Sequence, residues 1–179
     1  MILTNSLTAS VTLLAGGGDT ASYHAVAHIN DSRSHGQVGD NLLSLQEAIQ
    51  LHNGTLSITQ LSAAEASQLS LIPGTGSNTD VTWADIDGAS NPVITIEQDL
   101  DPIADTGFDF RIQGINNAPV LDFSGANLTR GFRATNSAVA FENLVLSGGS
   151  YGIDVSQADA SGQIGAVLDR ILFDGQTQF

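Results

Sequence analysis

Side chains able to do chemistry are sparse in this chain, and the densest run of them is acidic. Glu97, Asp99, Asp101, Asp105 and Asp109 fall within one short stretch. Alternate carboxylates on a loop can supply the oxygens that Ca²⁺ takes, about six to eight per ion. Asp99, Asp101 and Asp105 are therefore the candidate Ca²⁺ ligands, whereas Asp85-Ile86-Asp87-Gly88 has too few correctly spaced ligands for a helix-loop-helix calcium loop. His24 and His28 stand four residues apart, a spacing that on a helix would turn two imidazoles toward one Zn²⁺. No Glu lies between them as the His-Glu-x-x-His pattern requires, and the flanking residues read as strand or loop. Trp83, Phe108 and Phe132 are the candidates for a sugar platform, although single aromatics among short strands fit a stacked core better. No catalytic residue is assigned on this basis, and no cofactor is required.

The balance of charge narrows the partners. The chain carries 19 acids against 5 bases, all of them Arg (Arg33, Arg111, Arg130, Arg133 and Arg170), for a formal net charge of −14. So few cations cannot neutralise a run of phosphates, and the overall field repels nucleic acids and anionic membranes. Zero cysteines rule out a disulfide framework or a thiolate metal site. No stretch approaches the roughly 20 apolar residues that span a bilayer. Thr4, Asn5, Ser6, Thr8 and Ser10 interrupt the first apolar run, so it does not read as a signal peptide. The expectation is that the start has been trimmed or that export uses a signal elsewhere. With 41% apolar and only 13% charged residues, the polar surface must come largely from Ser, Thr, Asn, Gln and Gly, which is a β-rich, extracellular composition.

The elements that must position these residues begin with a helix. Ser44 and Glu47 form a capping box, in which each side chain satisfies the other residue's free backbone N–H. Leu45, Ala48, Ile49 and His52 follow at helical spacing, and Gly54 suits the position past the end. Ser62 and Glu65 repeat the box, with Ala66 and Leu69 behind them and Pro73-Gly74 as the stop, which predicts a second short helix. Residues 1–40 read as an irregular leader, with a β-like run at Val11 to Leu14, and 41–92 as a helical cap with connecting loops. From residue 93 to 179 the chain becomes short apolar runs broken by Gly, Asn and Asp, which read as strands.

Spacing turns those strands into an architecture. Ala138 to Gly148 aligns with Gly165 to Gly175 at an offset of 27, Phe141 on Leu168, with apolar, acidic and Gly positions in register. Phe110 sits 31 residues before Phe141, about one more unit upstream. Repeats of this length mark a solenoid whose units bury their apolar faces only by stacking. An antiparallel sandwich would want tight turns such as Asn-Gly between strand pairs, and the single Asn-Gly, Asn53-Gly54, falls at a helix end.

The segment 38–55, centred on Leu43-Ser44-Leu45-Gln46-Glu47-Ala48-Ile49, resembles the "LSLREAI" signature at the start of many bacterial right-handed β-helix proteins of the pectate-lyase-like superfamily, among them polymorphic outer-membrane-protein-like and large surface proteins. Similarity continues through Leu61 to Glu65, Val93 to Ile96, Ile112-Gln113-Gly114 and Val120 to Phe123, with Gln46 where the family usually has Arg. The resemblance implies an all-β right-handed parallel β-helix with a short N-terminal capping helix, carried by Ser44, Leu45, Glu47 and Ile49, whose first coils continue in a longer protein. It also implies polysaccharide lyases, hydrolases and epimerases as relatives. Lyases of that fold use Arg or Lys as base; Arg130 and Arg133 are the one close pair here, and pairing with Asp122 or Glu142 is their expected role. Asn78-Thr79-Asp80 matches a tripeptide of the polygalacturonase-like hydrolases, but the Asp pair, Gly-His-Gly and Arg-Ile-Lys that accompany it do not follow. The expected function is a structural or adhesive module of a secreted or cell-surface bacterial protein. Its expected partners are a polysaccharide, other surface proteins, or a second copy met through the C-terminal coil. The alternative is part of a carbohydrate-active β-helix enzyme or a carbohydrate-binding module.

Overall fold

A computed structural model describes residues 23–73, 79–104, 110–125, 131–135, 138–150, 152–156 and 166–175. Alternation of buried and outward-facing side chains along the strands builds most of it. Eleven strands are present among these residues: β1 (Tyr23–Ile29), β2 (Leu69–Pro73), β3 (Thr79–Asp87), β4 (Val93–Thr95), β5 (Ile103–Ala104), β6 (Phe110–Ile115), β7 (Val120–Asp122), β8 (Phe132–Thr135), β9 (Val139–Ser147), β10 (Ile153–Ser156) and β11 (Ala166–Asp174). Helices α1 (Leu45–His52) and α2 (Ala63–Ala66) and a 3-10 turn at Ile58–Gln60 lie between β1 and β2. The fold is mostly β, and its strands pair in parallel except β2, which runs antiparallel to β1. One sheet of eight strands runs β2-β1-β3-β6-β9-β7-β4, with β11 also on β9; a second has the order β10-β8-β5.

Parallel register stacks like upon like. Ala27, Ala84, Ile112, Phe141 and Leu168 align in one column, at steps of 28 residues from β3 to β6, 29 from β6 to β9 and 27 from β9 to β11. The first four of these side chains are fully buried, and Leu168 at the end of the column is half exposed. Phe110 pairs with Val139 and not with Phe141, so the step there is two residues shorter than the 31 read from the sequence. A second column runs Ile94, Leu121, Leu146 and Phe173. Phe132 on the smaller sheet closes the space between the two, edge-on to Phe123 at 5.7 Å and tilted on Phe141 at 4.8 Å.

The chain passes from one column to the next at asparagines. Val139 to Glu142 of β9 pair with β6, Val145 to Ser147 pair with β7, and Asn143 between them is left-handed at φ 54°. Asn adopts this region more readily than other residues with a Cβ. Arg170 occupies the equivalent corner of β11 at φ 55°. Asn143 donates from Nδ2 to the Gly114 carbonyl at 2.9 Å, and a Cβ at Gly114 would run into the Asn143 carbonyl oxygen and Pro119 Cδ. Gly114 is thus glycine because two backbones meet there.

The sequence reading needs correction before residue 93. Residues 23–29, inside the stretch expected to be irregular, form β1 between β2 and β3 in the large sheet, and β2 and β3 lie where helices and loops were expected. Their alternation is carried by Ala and Asp, which are poor strand formers, so pairing with neighbours decides the outcome. The second helix is only four residues, and Leu69, expected to continue it, begins β2. The first helix forms as expected, with both halves of the Ser44–Glu47 box in place and Leu45 and Ile49 fully buried. Changing either to Ala should cost about 2–5 kcal/mol, the range for emptying a buried aliphatic site. Urea denaturation measures this, and a loss near zero for both would detach the helix from the core. Gly114→Ala should destabilise the chain in the same assay by moving two backbones apart, and an unchanged midpoint would contradict the close packing there.

Candidate functional site

Residues that alternate with the core columns form the outer face of β1, β3, β6, β9 and β11, and several chemistry-bearing side chains meet there. His28, Asp85, Gln113, Glu142 and Asp169 occupy successive strands in register. With neighbouring strands about 4.8 Å apart, this polar row is about 19 Å long. Beside it run Val26, Trp83, Arg111, Ala140 and Val167. The register of β1 on β3 slips between Ala25 and Val26, so that Ala25 faces Val81 and Val26 faces Trp83, with Thr82 extra. Such a bulge re-aims the side chains beside it, and here it sets Trp83 on the outer face while Val81 and Ala84 remain buried.

The cluster is held by weak contacts. The Arg111 guanidinium lies 4.9 Å over the Trp83 ring and its Nε is 3.6 Å from Glu142 Oε1. Both partners of that ion pair are partly exposed, so it contributes about 1 kcal/mol at most, and the stacking a similar amount. Asp85 is more deeply set: its Oδ2 lies 3.9 Å from His28 Nδ1, and its Oδ1 is buried without a hydrogen-bond partner. Burial pushes the Asp85 carboxyl up from its ordinary value, against the opposing pull of His28, a Gln113 hydrogen bond and Arg111. His28 Nε2 is 2.8 Å from Ser70 Oγ on β2, which ties the edge strand to the row. The arrangement offers a carboxyl that holds its proton to higher pH than usual, a second carboxylate two strands away, and an arginine and an indole between them.

The residues singled out from sequence are distributed differently. Asp101 docks the loop on α1, accepting from Gln50 Nε2 at 3.2 Å through its side chain while its N–H donates to Gln46 Oε1 at 3.0 Å. Asp99 is exposed, and Asp105 and Asp109 lie outside the described residues. Among the described residues no three His, Asp or Glu side chains converge as a metal site. His24 and His28 lie on a strand, where four positions span about 13 Å of backbone, too far to share one ion. Phe132 belongs to the core, while Phe108 and Arg130 lie outside the described residues. Glu142 pairs with Arg111, Arg133 stands opposite Asp154 in the smaller sheet, and any pairing of Arg130 lies outside the described residues. Thr79 and Asp80 begin β3, and Asn78 lies outside the described residues. Asp87 caps the turn after β3, its carboxyl held below the usual range by Asn116, the Ala89 N–H and Ser90.

The cap holds carboxyls of its own. Glu47 Oε2 accepts from the N–H and hydroxyl of Ser44, at 2.9 and 2.8 Å, and Oε1 is buried without a partner. Burial raises its pKa against those two hydrogen bonds. His52 is buried, donates from Nδ1 to the Val81 carbonyl at 2.8 Å and stacks on Phe110 at 4.5 Å. Two further buried acids carried no sequence signal of this role. Glu65 accepts from Gly39, Asp40 and Ser62 N–H groups, and Asp31 holds Arg33 at 3.3 Å. The second capping box pointed to Glu65 as a local cap, but nothing in sequence placed residues 39 and 40 against it.

Compared with protein-family models, curated proteins and solved structures, the chain matches none. Among the described residues no helix is long and apolar enough to cross a membrane.

Asp85 and Glu47 set an expected pH response. Both carboxyls have folded values above the ordinary range, so their contribution to stability is full at acid pH and is lost as pH rises through those values. Wild type should therefore gain Tm relative to Asp85→Asn between about pH 7 and about pH 4, the ordinary carboxylate value. Thermal melts at the two pH values decide the matter; a gain unchanged in the variant would mean that Asp85 is ionised alike in folded and unfolded chains.

Proposed function

We propose that the chain is the helix-capped end of a right-handed parallel β-helix, acting as a structural and adhesive module of a secreted or cell-surface bacterial protein. The observation that carries this is the parallel register at steps of 27 to 29 residues, in which β6, β9 and β11 stack the same core positions row after row. Support also comes from the left-handed corner residues that bend β9 and β11 into two arms at equivalent positions, and from the capping signature of Ser44 to Ile49 at the covered end. The partner is a polysaccharide or another surface protein, received on the polar row from His28 to Asp169 with Trp83 and Arg111 beside it. Hydroxyl-rich polymers suit a straight row of carboxylate, amide and imidazole groups more than a phosphate backbone does, given the chain's net charge of −14. Ca²⁺ at Asp99, Asp101 and Asp105 remains part of the proposal as an accessory ion.

One observation favours the alternative of a carbohydrate-active enzyme. Asp85 and Glu142 lie two strands, or about 9.6 Å of backbone, apart, and burial raises the Asp85 carboxyl from its ordinary value. Acid and base carboxyls of inverting glycosidases stand about 6.5–9.5 Å apart. A single experiment separates the two. The chain is incubated with immobilised pectate, alginate and neutral glycans with Ca²⁺ present, and retention and soluble product are both measured. The adhesive reading expects retention that falls in Trp83→Ala and Gln113→Ala with unchanged melting, and no product. Product release abolished by Asp85→Asn or Arg111→Ala replaces it with the enzyme reading, and neither retention nor product overturns the polysaccharide partner.

A further inference from the structure

The last described strand, β11, is apolar where it is most exposed. It pairs with β9 along one edge, and among the described residues no strand pairs with its other edge. Its backbone N–H and C=O groups on that side are a template for another strand. Val167, Leu168 and Leu172 are 61%, 48% and 59% exposed, and they are half of the six large exposed hydrophobics among the described residues. Such concentration on one edge marks an interaction surface more than chance exposure would.

The pattern of β11 is its own complement. Ala166, Leu168, Ile171 and Phe173 align with buried Val139, Phe141, Leu144 and Leu146, so they continue the core; Val167, Asp169 and Leu172 alternate with them on the outer face. Arg170 is the corner between two arms of four residues. Read backward against itself about the bond between 169 and 170, the strand sets Ala166 on Phe173, Val167 on Leu172, Leu168 on Ile171 and Asp169 on Arg170. Each pair matches in facing: core on core, exposed apolar on exposed apolar, and anion on cation at the corner. In an antiparallel pair, directly opposed residues share a face, so matched facing is the requirement.

We infer that two copies of this chain pair through β11, antiparallel across a two-fold axis that sets Asp169 of each copy against Arg170 of the other. A two-fold contact is closed, uses one surface twice and forms both ion pairs at once. Shifting the register by one residue either way fails. One shift opposes Arg170 to Arg170 and core-facing Leu168 to outward Leu172, and the other opposes Asp169 to Asp169 and outward Val167 to core-facing Ile171. Within one copy the Arg170 Nε lies 3.2 Å from Asp169 Oδ2, with both side chains more than half exposed, so exchanging that contact for one between copies sacrifices little. Among the described residues the other end does not offer the same surface, because its edge strand β2 is antiparallel and terminates at Pro73.

The pairing rests on the stacked-row reading, and cysteine placement separates the two, since the chain has no native Cys. An intrachain disulfide in the Ala140→Cys/Val167→Cys variant tests the rows alone, because those residues are register partners. The pairing itself is tested by sedimentation of the full chain beside Asp169→Arg, Arg170→Asp and the double swap. Wild type should dimerise, each single change should weaken the dimer about tenfold through two like-charge contacts, and the double swap should restore it. Leu168→Lys should abolish it. If a variant fails to fold by circular dichroism, the Val167→Cys/Leu172→Cys chain replaces it: a disulfide-linked dimer supports the register and a reduced monomer opposes it. A strictly monomeric wild type at its highest soluble concentration overturns the inference and assigns the edge to another segment, such as 1–22 or 176–179. So does a dimer that the double swap does not restore.

Discussion

Everything in this fold depends on the need of a parallel strand for a neighbour on each side. A parallel ladder leaves no backbone group satisfied within its own strand, and buries both edges only when rows continue. The 27- to 29-residue steps meet that need by returning the chain to the same direction one strand spacing away. Once the register is set, side chains have little freedom of address. The column Ala27, Ala84, Ile112 and Phe141 is packed because each residue is the only one that its register allows there. The outer row from His28 to Asp169 is aligned by the same register, so the polar groups are brought together by the ladder and not by attraction between themselves.

The covered end solves the edge problem by other means. β2 closes the sheet in the antiparallel sense, and α1 packs Leu45, Ala48 and Ile49 into the core. Buried carboxyls organise the connecting chain. Glu65 gathers three backbone N–H groups from two segments, Gln68 bridges Leu43, Asn30 and Asn41, and Asp31 fixes Arg33 beside the Thr95 bridge. A buried group left unsatisfied costs more than a made hydrogen bond contributes, so these contacts specify one arrangement of the cap more than they strengthen it. Glu47 and Asp85 each keep one carboxylate oxygen buried and unpartnered.

Legibility in the sequence followed the strength of local signals. The Ser44–Glu47 box and the apolar positions behind it were readable because capping is a contact between residues three apart, and the strands from Val93 onward were readable from β-branched and aromatic runs. The 27-residue step from Phe141 to Leu168 was visible because the two segments resemble each other residue by residue. β1 and β3 were not visible, because Ala25, Ala27, Ala84 and the alternating Asp residues carry no strand preference without their neighbours. The outer cluster was hidden for a related reason. Trp83, Arg111 and Glu142 come from three rows, and only the offsets of 28 and 29, applied upstream of residue 110, would have aligned them. Thr82, the extra residue of the bulge, breaks even that count on the β1 side.

The spacing between β1 and β3 has a consequence for how such a chain changes over time. Tyr23 pairs with Thr79 across 56 residues, about twice the step of the later rows, because both helices and β2 sit in the interval. Doubling a loop adds only about 0.6 kcal/mol to the entropy of closing it. That is small beside the 2–5 kcal/mol or so carried by a single buried leucine. A row can therefore accept a whole subdomain between two of its strands with little loss of stability, provided the insertion begins and ends at a corner. A corner such as Asn116, in the turn between β6 and β7, is a place where length can be gained while the columns stay in register, unlike Asn143, which lies inside β9.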